Sequence, residues 1–263
     1  MRWAELHAAL RAHGIAAAAP STAPLDVTGI AYDSRRVVRG NVFVALKGLH
    51  NDGTAFARDA IERGAAVIVS EKLAPEDVTV PWVAVDDARR ALALLAATFY
   101  RNPSAEMQVV GITGTNGKTT TSFLVASILE AAGIRCGVLG TVGYRVGDQI
   151  REAARTTPEA PEVQALLREM AAGGCGACVM EVSSHALAQR RVDEMTFAAG
   201  VFTNLTRDHL DFHADMEAYF QAKRRLFEML PPGAPSLINL DDPRGLALVE
   251  LGTRPVKIGR AHV

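Results

Sequence analysis

The strongest chemical signal in this sequence is a glycine-containing stretch over residues 109–120, which reads VVGITGTNGKTT. An apolar segment leads into a turn, and Lys118 and two threonines then open a helical segment. Glycines let backbone N–H groups curl around phosphate oxygens, and the start of a helix adds a partial positive charge. Lys118 can reach the β- and γ-phosphates of a nucleotide, and the Thr119 hydroxyl can ligate Mg²⁺. The stretch therefore predicts a nucleoside triphosphate site made by Gly114, Thr115, Asn116, Gly117, Lys118, Thr119 and Thr120.

The loop departs by one position from the common pattern G-x-x-x-x-G-K-[ST], because residue 112 is Ile. A more compact variant, which runs from Gly114 to Thr119, fits instead. The alternative is an ordinary glycine-rich turn between a strand and a helix, which the placement of Lys118 and the threonines disfavours.

Two further apolar segments end in side chains that can bind a metal ion. The segment over 177–180 is followed by Glu181, and the segment over 198–203 leads to Asp208 and His209. Ligands of open α/β sheets bind outside the carboxyl ends of the strands, where these residues would lie. Glu181 is thus a candidate Mg²⁺ ligand, and a surface carboxylate at a strand end is the alternative.

Residues 208–213, DHLDFH, also carry the residue types of a zinc or iron site. The hard Mg²⁺ that the glycine loop implies makes a separate transition-metal site the weaker hypothesis. A hydrogen-bonded structural role is the alternative for each histidine of this stretch. Lys223, in the segment QAKRR, is typical of a solvated charge on a helix when the sequence alone is considered.

The composition is that of an ordinary globular protein. The 263 residues are 49% hydrophobic and 22% charged, with a net charge of -1. These values argue against disorder and leave no global positive field for nucleic acid or an anionic membrane. No apolar run reaches the roughly 20 residues that span a bilayer, and the first residues lack a secretory signal. We expect a cytoplasmic monomer with no membrane insertion and no nucleic-acid partner.

The three cysteines do not fit a disulfide framework. Cys175 and Cys178 match the C-x-x-C spacing of redox proteins, but Cys178 opens an apolar run, which predicts burial in a strand. A zinc site would need two more ligands, and no second C-x-x-C is present.

Strand and helix patterns alternate on both sides of a break at residues 101–104, RNPS. Before the break we expect a short amphipathic N-terminal helix, strands over 42–46, 65–69 and 82–85, and helices over 54–63 and 88–100. Asp86 or Asp87 would cap the last of these helices. After the break we expect strands over 108–113, 138–142, 177–182, 198–203 and 236–239, and helices over 119–132, 161–172 and 216–230. This alternation predicts two α/β domains, the second with a mostly parallel sheet.

The last six residues, IGRAHV, form an unusual C-terminus. The codons ATC-GGA-AGA-GCA-CAC-GTC would encode them and match the start of a common sequencing adapter. We therefore expect residues 258–263 to be a non-native tail.

Taken together, these segments resemble the Mur ligases of peptidoglycan synthesis, and among them the MurE type. The compact loop from Gly114 to Thr120 is similar to the ATP signature of that family. Further matches over residues 26–242 are DSR at 33–35, GNVFVA at 40–45, TTP at 156–158, EVSSH at 181–185, FTNLTRDHLD at 202–211, YFQAK at 219–223 and INLDD at 238–242.

The resemblance implies three domains, of which this chain would hold the first and most of the second. Residues 1–102 would form a small α/β domain that binds the UDP-muramoyl substrate. Residues 103–257 would form an incomplete, P-loop-type central α/β ATPase domain. The third, amino-acid-binding domain is expected to be absent, and we expect the chain alone not to form an amide bond.

The resemblance also implies roles for individual residues. Lys118, Lys223, Glu181 and His209 would be catalytic. Mg²⁺ would be bound by Thr119, Glu181, His209 and by Lys223 as a carbamate, which would replace the solvated-charge interpretation of that lysine. Contacts with UDP would come from Tyr32, Ser34, Leu49, His50 and Asn51. Contacts with the muramoyl dipeptide would come from Thr156, Thr157, Ser183, Gln189, Arg191 and Arg155, the last in a position where some relatives have Asn. Asn239 and Asp242 would lie near the adenine.

The implied reaction is ATP-dependent amide formation on UDP-N-acetylmuramoyl-L-Ala-D-Glu, through an acyl phosphate and with Mg²⁺. The amine would be a diamino acid, with meso-diaminopimelate as the first expectation and L-lysine as the second. A folylpolyglutamate synthetase is the enzymatic alternative, but it is not expected to carry the DSR and GNVFVA segments. A non-enzymatic P-loop switch is the other alternative, and it would not need Glu181, His209 and Lys223 together.

Overall fold

The computed structural model describes residues 1–15, 24–48, 52–251 and 254–259. The chain divides into two compact units, Met1–Asn102 and Pro103–Val263. The break lies in the RNPS segment, where Arg101 and Asn102 adopt positive φ values of 60° and 47°. Within the described ranges, no helix is both long and apolar enough to cross a membrane.

The first unit is a four-stranded parallel sheet with helices on both faces. Its strands are β1 (Gly29–Ala31), β2 (Asn41–Ala45), β3 (Val67–Ser70) and β4 (Trp82–Ala84), and they lie side by side in that order. Its α-helices are α1 (Trp3–Ala12), α2 (Ala57–Glu62) and α3 (Ala88–Phe99), with 3-10 turns at Ser34–Arg36 and Gly53–Phe56.

Strand β2 explains why the helices cover both faces of this sheet. Val42 and Val44 belong to the apolar cluster that includes α1 and α3, whereas Phe43 and Ala45 belong to the cluster that includes α2. Successive strand residues point to opposite faces, so a strand covered on both sides is a continuous apolar run.

The second unit is built on an eight-stranded sheet. Its strands are β5 (Gln108–Thr113), β6 (Cys136–Leu139), β7 (Tyr144–Val146), β8 (Gln149–Arg151), β9 (Ala177–Glu181), β10 (Ala199–Phe202), β11 (Pro235–Asn239) and β12 (Arg254–Ile258). Its α-helices are α4 (Lys118–Ala131), α5 (Ala160–Ala172), α6 (Ser184–Ala188), α7 (Met216–Glu228) and α8 (Gly245–Val249), and a 3-10 turn lies at Pro103–Ala105.

The order of the strands in this sheet positions the functional residues. It is β12-β11-β10-β5-β9-β6-β7-β8, parallel except for the antiparallel pairs β6–β7 and β7–β8. Strand β5 is central, with Thr113 paired to Phe202 of β10 and Ile112 paired to Glu181 of β9. The residues that follow these three strands therefore meet at one edge of the sheet, as expected for parallel strands.

The predicted α/β class, with a small first sheet and a larger, mostly parallel second sheet, is confirmed. Strand β5 has the predicted bounds. Helix α3 begins after Asp87, whose carboxylate accepts a 2.9 Å hydrogen bond from the Arg90 backbone N–H. All three cysteines are free and buried, and burial raises the pKa of the Cys178 thiol well above its usual range, which does not suit a redox thiolate.

Some predicted elements were wrong in extent. The helix predicted over 54–63 starts as the 3-10 turn, and only Ala57–Glu62 is α-helical. The strand predicted over 138–142 lies at Cys136–Leu139, because the chain turns back after Leu139 to pair antiparallel with β7. Strands β1, β7, β8 and β12 and helices α6 and α8 were not predicted. Ile258, assigned to the suspected tail, pairs with Asn239, while residues 260–263 lie outside the described ranges.

Candidate functional site

The glycine loop joins the end of β5 to the start of α4, as the sequence predicts. Gly114 has φ +148°, and a Cβ at this position would lie 1.9 Å from the Thr203 hydroxyl oxygen. Gly117 has φ +83° and is the N-cap of α4, so the helix begins at Lys118, one residue earlier than predicted. Only glycine suits the close approach at Gly114, because a side chain there would collide with the next strand end.

The segment after β10 holds this loop in place. The backbone N–H of Thr115 donates to the Asn204 carbonyl oxygen at 2.9 Å, and that of Asn116 to the Asn204 side-chain oxygen at 3.0 Å. The Thr203 hydroxyl donates to the Asn116 carbonyl oxygen at 2.7 Å. The shape of the loop is therefore fixed by contacts more than 80 residues away in sequence.

Two lysines converge on the loop. The ammonium of Lys118 donates to the carbonyl oxygens of Gly114 at 2.9 Å and Thr115 at 2.8 Å. The ammonium of Lys223, on α7, donates to the same Gly114 carbonyl at 2.9 Å. Lys223 is 1% exposed, so its interpretation as a solvated helix charge is wrong.

The environment of Lys223 makes protonation of its amine less favourable than for an ordinary lysine. Burial, and secondly the positive charge of Lys118, lower the pKa of Lys223 to about 7. Its ammonium lies 4.3 Å from the centre of the Tyr219 ring, and the Tyr219 hydroxyl is 3.1 Å from the hydroxyl of Thr115. Burial also lowers the pKa of Lys118.

Glu181 and two threonines form a cluster of hard oxygen atoms beside the loop. Glu181 is 1% exposed, and its Oε1 accepts from the Thr119 hydroxyl at 2.9 Å and from the Thr141 backbone N–H at 3.0 Å. Its Oε2 accepts from the Thr141 hydroxyl at 3.1 Å. A Cβ at Gly140 would lie 2.3 Å from Oε1, so glycine makes room for the carboxylate. Carboxylate and hydroxyl oxygens are suitable ligands for Mg²⁺, and the donor set fits that ion.

Aromatic rings pack between the ends of β9 and β10. The rings of His185 and His209 are 4.9 Å apart, and His209 lies 5.9 Å from the Tyr219 ring. His213 is buried and its Nε2 is 2.9 Å from the Ser184 hydroxyl, so the structural alternative applies to this histidine. Burial, and secondly His185, lower the pKa of His213 to about 4. Within the described ranges, no group of three or more His, Cys, Asp or Glu side chains is arranged to hold a metal ion.

A cleft of about 320 Å³ opens between the loop and the end of β9. It is lined by Lys118, Thr141, Arg155, Thr156, Thr157, Ser183, His185, Arg191 and His209. Lys118 and five of the six residues predicted to contact the dipeptide therefore line one cavity. The sixth, Gln189, accepts a 2.6 Å hydrogen bond from Arg191 through its side-chain oxygen.

Asn239 and Asp242, which were predicted to lie near the adenine, are not among the residues that line this cleft. Asn239 donates to the Thr203 carbonyl oxygen at 2.7 Å, and Asp242 accepts from the Leu205 backbone N–H at 2.6 Å, so both support the segment after β10. In the first unit, Tyr32 packs against the apolar cluster of α1 and α3, and Ser34 begins the first 3-10 turn. Leu49, His50 and Asn51 lie outside the described residues.

The sequence did not single out Thr141, Glu159 or Tyr219 as functional residues. Thr141 lies within the strand that was predicted over 138–142, and its contact with Glu181 depends on the order of the strands in the sheet. Tyr219 stands one helical turn before Lys223, a spacing that could have indicated their contact. Glu159 could have been noticed for another reason. It is the N-cap residue of α5, a position that is normally occupied by Ser, Thr, Asp or Asn.

Comparison with known proteins identifies the family to which this chain belongs. Residues 112–258 match the Mur ligase middle domain, and residues 26–100 match the family described as Mur ligase family, catalytic domain. The chain belongs to the Mur ligase family, whose members are ATP-dependent.

The names of individual relatives are more specific than the name of the family. A protein of Geobacter sulfurreducens named UDP-N-acetylmuramoyl-L-alanyl-D-glutamate--2,6-diaminopimelate ligase is 49% identical over 237 residues, which cover 88% of this chain and 47% of the relative. A UDP-N-acetylmuramyl-tripeptide synthetase of Roseiflexus sp. is 48% identical over 233 residues, 83% of this chain and 46% of the relative. A solved structure of a UDP-N-acetylmuramoyl-L-alanyl-D-glutamate--2,6-diaminopimelate ligase superposes with a TM-score of 0.78 at 30% identity, and the match covers 95% of this chain and 51% of that one. The chain spans about half the length of the curated relatives it matches.

Proposed function

We propose that this chain carries the ATP site and the nucleotide-substrate site of an amide ligase. The ligase adds a diamino acid to UDP-N-acetylmuramoyl-L-Ala-D-Glu in the synthesis of a peptidoglycan precursor. The observation that carries the proposal is the shared cleft, in which Lys118 of the triphosphate loop faces Thr156, Thr157 and Arg191. The names of the relatives support the same substrate.

In this proposal, the two units bind different parts of the substrates. In the first unit, Tyr32 and Ser34 contact the uridine nucleotide, together with Leu49, His50 and Asn51. In the second unit, residues 114–120 hold the phosphates of ATP, and Asn239 and Asp242 shape the segment near the adenine. Arg155, Thr156, Thr157, Ser183, Gln189 and Arg191 hold the dipeptide.

The reaction joins two anions before it makes an amide. The D-Glu γ-carboxylate attacks the γ-phosphorus of ATP, ADP leaves, and an acyl phosphate forms. The amine then attacks the acyl carbon, loses a proton, and phosphate leaves. Lys118 offsets the repulsion between carboxylate and triphosphate, because a fixed cation stabilises the charge of the transferring group.

The residues around Glu181 fit Mg²⁺. Thr119, Glu181 and His209 are the side chains that would bind it, together with Lys223 after conversion to a carbamate. When bound, Mg²⁺ supplies positive charge that polarises the phosphoryl oxygens. Lys223 suits carbamate formation because only a neutral amine reacts with CO₂, and its pKa is lowered to about 7.

We propose meso-diaminopimelate as the amine, with L-lysine as the second candidate. We also propose that the protein is a monomer and acts in the cytoplasm, where ATP and UDP-linked precursors are available.

The test uses the product of the complete gene with ATP, Mg²⁺ and UDP-N-acetylmuramoyl-L-Ala-D-Glu, and each amine is added separately. Phosphate release that requires one of the amines supports the ligase and identifies its substrate. Absence of release with both amines would contradict the proposal and favour a folylpolyglutamate synthetase.

The Lys223→Ala variant separates a ligase from a P-loop switch. A ligase loses turnover in this variant, because the buried amine has a chemical role. A switch would have no turnover to lose and would bind ATP as before.

A further inference from the structure

Glu159 is a buried acidic residue whose side chain does not serve the helix that it begins. It is the N-cap of α5 and is 5% exposed, yet its side chain makes no capping hydrogen bond. Capping is normally done by Ser, Thr, Asp or Asn, whose short side chains reach the first backbone N–H groups. Burial of a carboxylate costs free energy unless the carboxylate is paired, so the role of Glu159 follows from the groups that it contacts.

The partners of Glu159 are two arginines of the cleft. Its Oε1 accepts from Arg155 Nη1 at 2.5 Å and lies 2.9 Å from Arg191 Nε. Both guanidinium groups contact the same oxygen, so they are held close together. Both arginines also line the cleft that contains Lys118 and His209.

Contacts on several sides fix the orientation of the Arg191 side chain. Its Nη1 donates to the Thr157 carbonyl oxygen at 2.9 Å, and its side chain is 10% exposed. The turn that carries it is fixed through Asp193, which accepts from Arg225 of α7 at 2.9 Å and from Arg190 at 2.9 Å. The contacts of Asp193 thus fix the backbone that carries Arg191, and Glu159 fixes the orientation of the Arg191 guanidinium group.

We propose that Glu159 is a positioning residue, which holds Arg155 and Arg191 together as a binding site for a carboxylate of the acceptor. One carboxylate between two guanidinium groups leaves a net charge of one positive unit, which suits a single anionic group. Planar guanidinium groups bind carboxylates with defined geometry only when their orientation is fixed. This inference rests on the proposed function, because it assigns the carboxylate to the D-Glu of the nucleotide substrate.

The experiment compares two nucleotide probes by calorimetry, UDP-N-acetylmuramoyl-L-Ala-D-Glu and UDP-N-acetylmuramoyl-L-Ala. The second lacks the D-Glu and its carboxylates. We expect the chain to prefer the first probe, and Glu159→Gln to reduce that preference about tenfold, the scale of one charged hydrogen bond. The affinity for ATP is expected to stay unchanged in this variant, whereas the midpoint of thermal unfolding is expected to fall, because a buried ion pair loses one partner.

Glu169→Gln is the matched control. It lies on the same helix, and Glu169 pairs with Arg151 at the surface, where the two side chains are 47% and 40% exposed. We expect this variant to keep the full preference for the D-Glu probe, because exposed ion pairs contribute little. Equal losses in the Glu159 and Glu169 variants would overturn the proposal.

A mutant cycle tests whether Glu159 acts through Arg155 and Arg191. In a background with both Arg155→Met and Arg191→Met, Glu159→Gln is expected to change the preference less than twofold, because both groups that it positions have been removed. The same tenfold loss in both backgrounds would overturn the positioning role. If Glu159→Gln does not fold, Glu159→Asp takes its place, since it keeps the charge but shortens the reach; full retention of the preference would then contradict the proposal.

The outcomes separate this inference from the proposed function. A wild-type chain that binds neither nucleotide probe contradicts both. A wild-type chain that prefers the D-Glu probe, together with a Glu159→Gln variant that does so equally, contradicts the positioning role alone.

Discussion

Lys118 and Lys223 donate hydrogen bonds to the same acceptor, the carbonyl oxygen of Gly114, each at 2.9 Å. One lysine begins α4 and the other lies within α7, more than 100 residues later in the chain. The positive charge of Lys118 makes protonation of the buried Lys223 less favourable and so helps to lower its pKa. The glycine loop, which ends at Lys118, and the helix that carries Lys223 are therefore coupled electrostatically.

Lys118→Met is expected to reduce the affinity for Mg²⁺-ATP by on the order of 100-fold, the scale of hydrogen bonds from a charged group. Isothermal calorimetry on this chain measures the affinity. Lys72→Met is the control, because Lys72 is an exposed residue of the first unit that pairs with Asp52. Unchanged ATP affinity in Lys118→Met would show that the loop does not bind the nucleotide as proposed.

Lys223 is expected to form a carbamate at neutral pH. With a pKa of about 7, roughly half of the amine is neutral at pH 7, whereas an ordinary lysine would be almost fully protonated. Carbon-13 NMR in labelled bicarbonate detects the carbamate, and its signal is expected to increase as the pH rises through 7. The signal must be absent in Lys223→Met; a signal of equal size in that variant would assign the carbamate to another amine.

His213 makes the folded protein sensitive to acid. Its pKa is about 4 in the folded state and near 6.5 when unfolded, so the unfolded chain binds a proton more readily between these values. The stabilisation is fully present above pH 6.5 and is lost as the pH falls toward 4, by about 1–3 kcal/mol. Urea unfolding at pH 7 and pH 4.5 measures the difference.

His213→Gln is expected to remove part of this pH dependence, and His13→Gln, at an exposed position of the first unit, is expected to leave it unchanged. Identical pH profiles for wild type and His213→Gln would rule out His213 as the source.

Gly114→Ala is expected to abolish nucleotide binding, because the added Cβ would lie 1.9 Å from the Thr203 hydroxyl. Gly133→Ala is the control, since Gly133 also has a positive φ, +79°, but no atom lies within 4 Å of its added Cβ. We expect the control to lose about 1 kcal/mol of stability from backbone strain and to bind ATP normally. Loss of binding in both variants would attribute the effect to strain rather than to the contact.

The sequence predicts the parts of this molecule that depend on local pattern. Strand β5 and the loop from Gly114 to Lys118 follow from an apolar run, glycines and a helix start that are contiguous in the chain. Asp87 was one of two predicted caps, and capping depends only on nearby backbone groups.

The parts that were not predicted depend on strand order. Spacing in sequence does not reveal that Thr141 contacts Glu181, because the contact exists only when β6 lies beside β9. Lys223 has polar neighbours in sequence, and its burial follows from the packing of α7 against the end of β5. The antiparallel strands β7 and β8 are three residues each, too short for a periodic signal.

The central claim is that the cleft beside Lys118 activates a substrate carboxylate with ATP. The most direct test is to trap the acyl phosphate with hydroxylamine, in the product of the complete gene with ATP, Mg²⁺ and UDP-N-acetylmuramoyl-L-Ala-D-Glu but no diamino acid. We predict that mass spectrometry will detect the hydroxamate of the nucleotide with the wild type and not with Lys118→Met. Bound ATP and bound nucleotide without any hydroxamate would contradict the account.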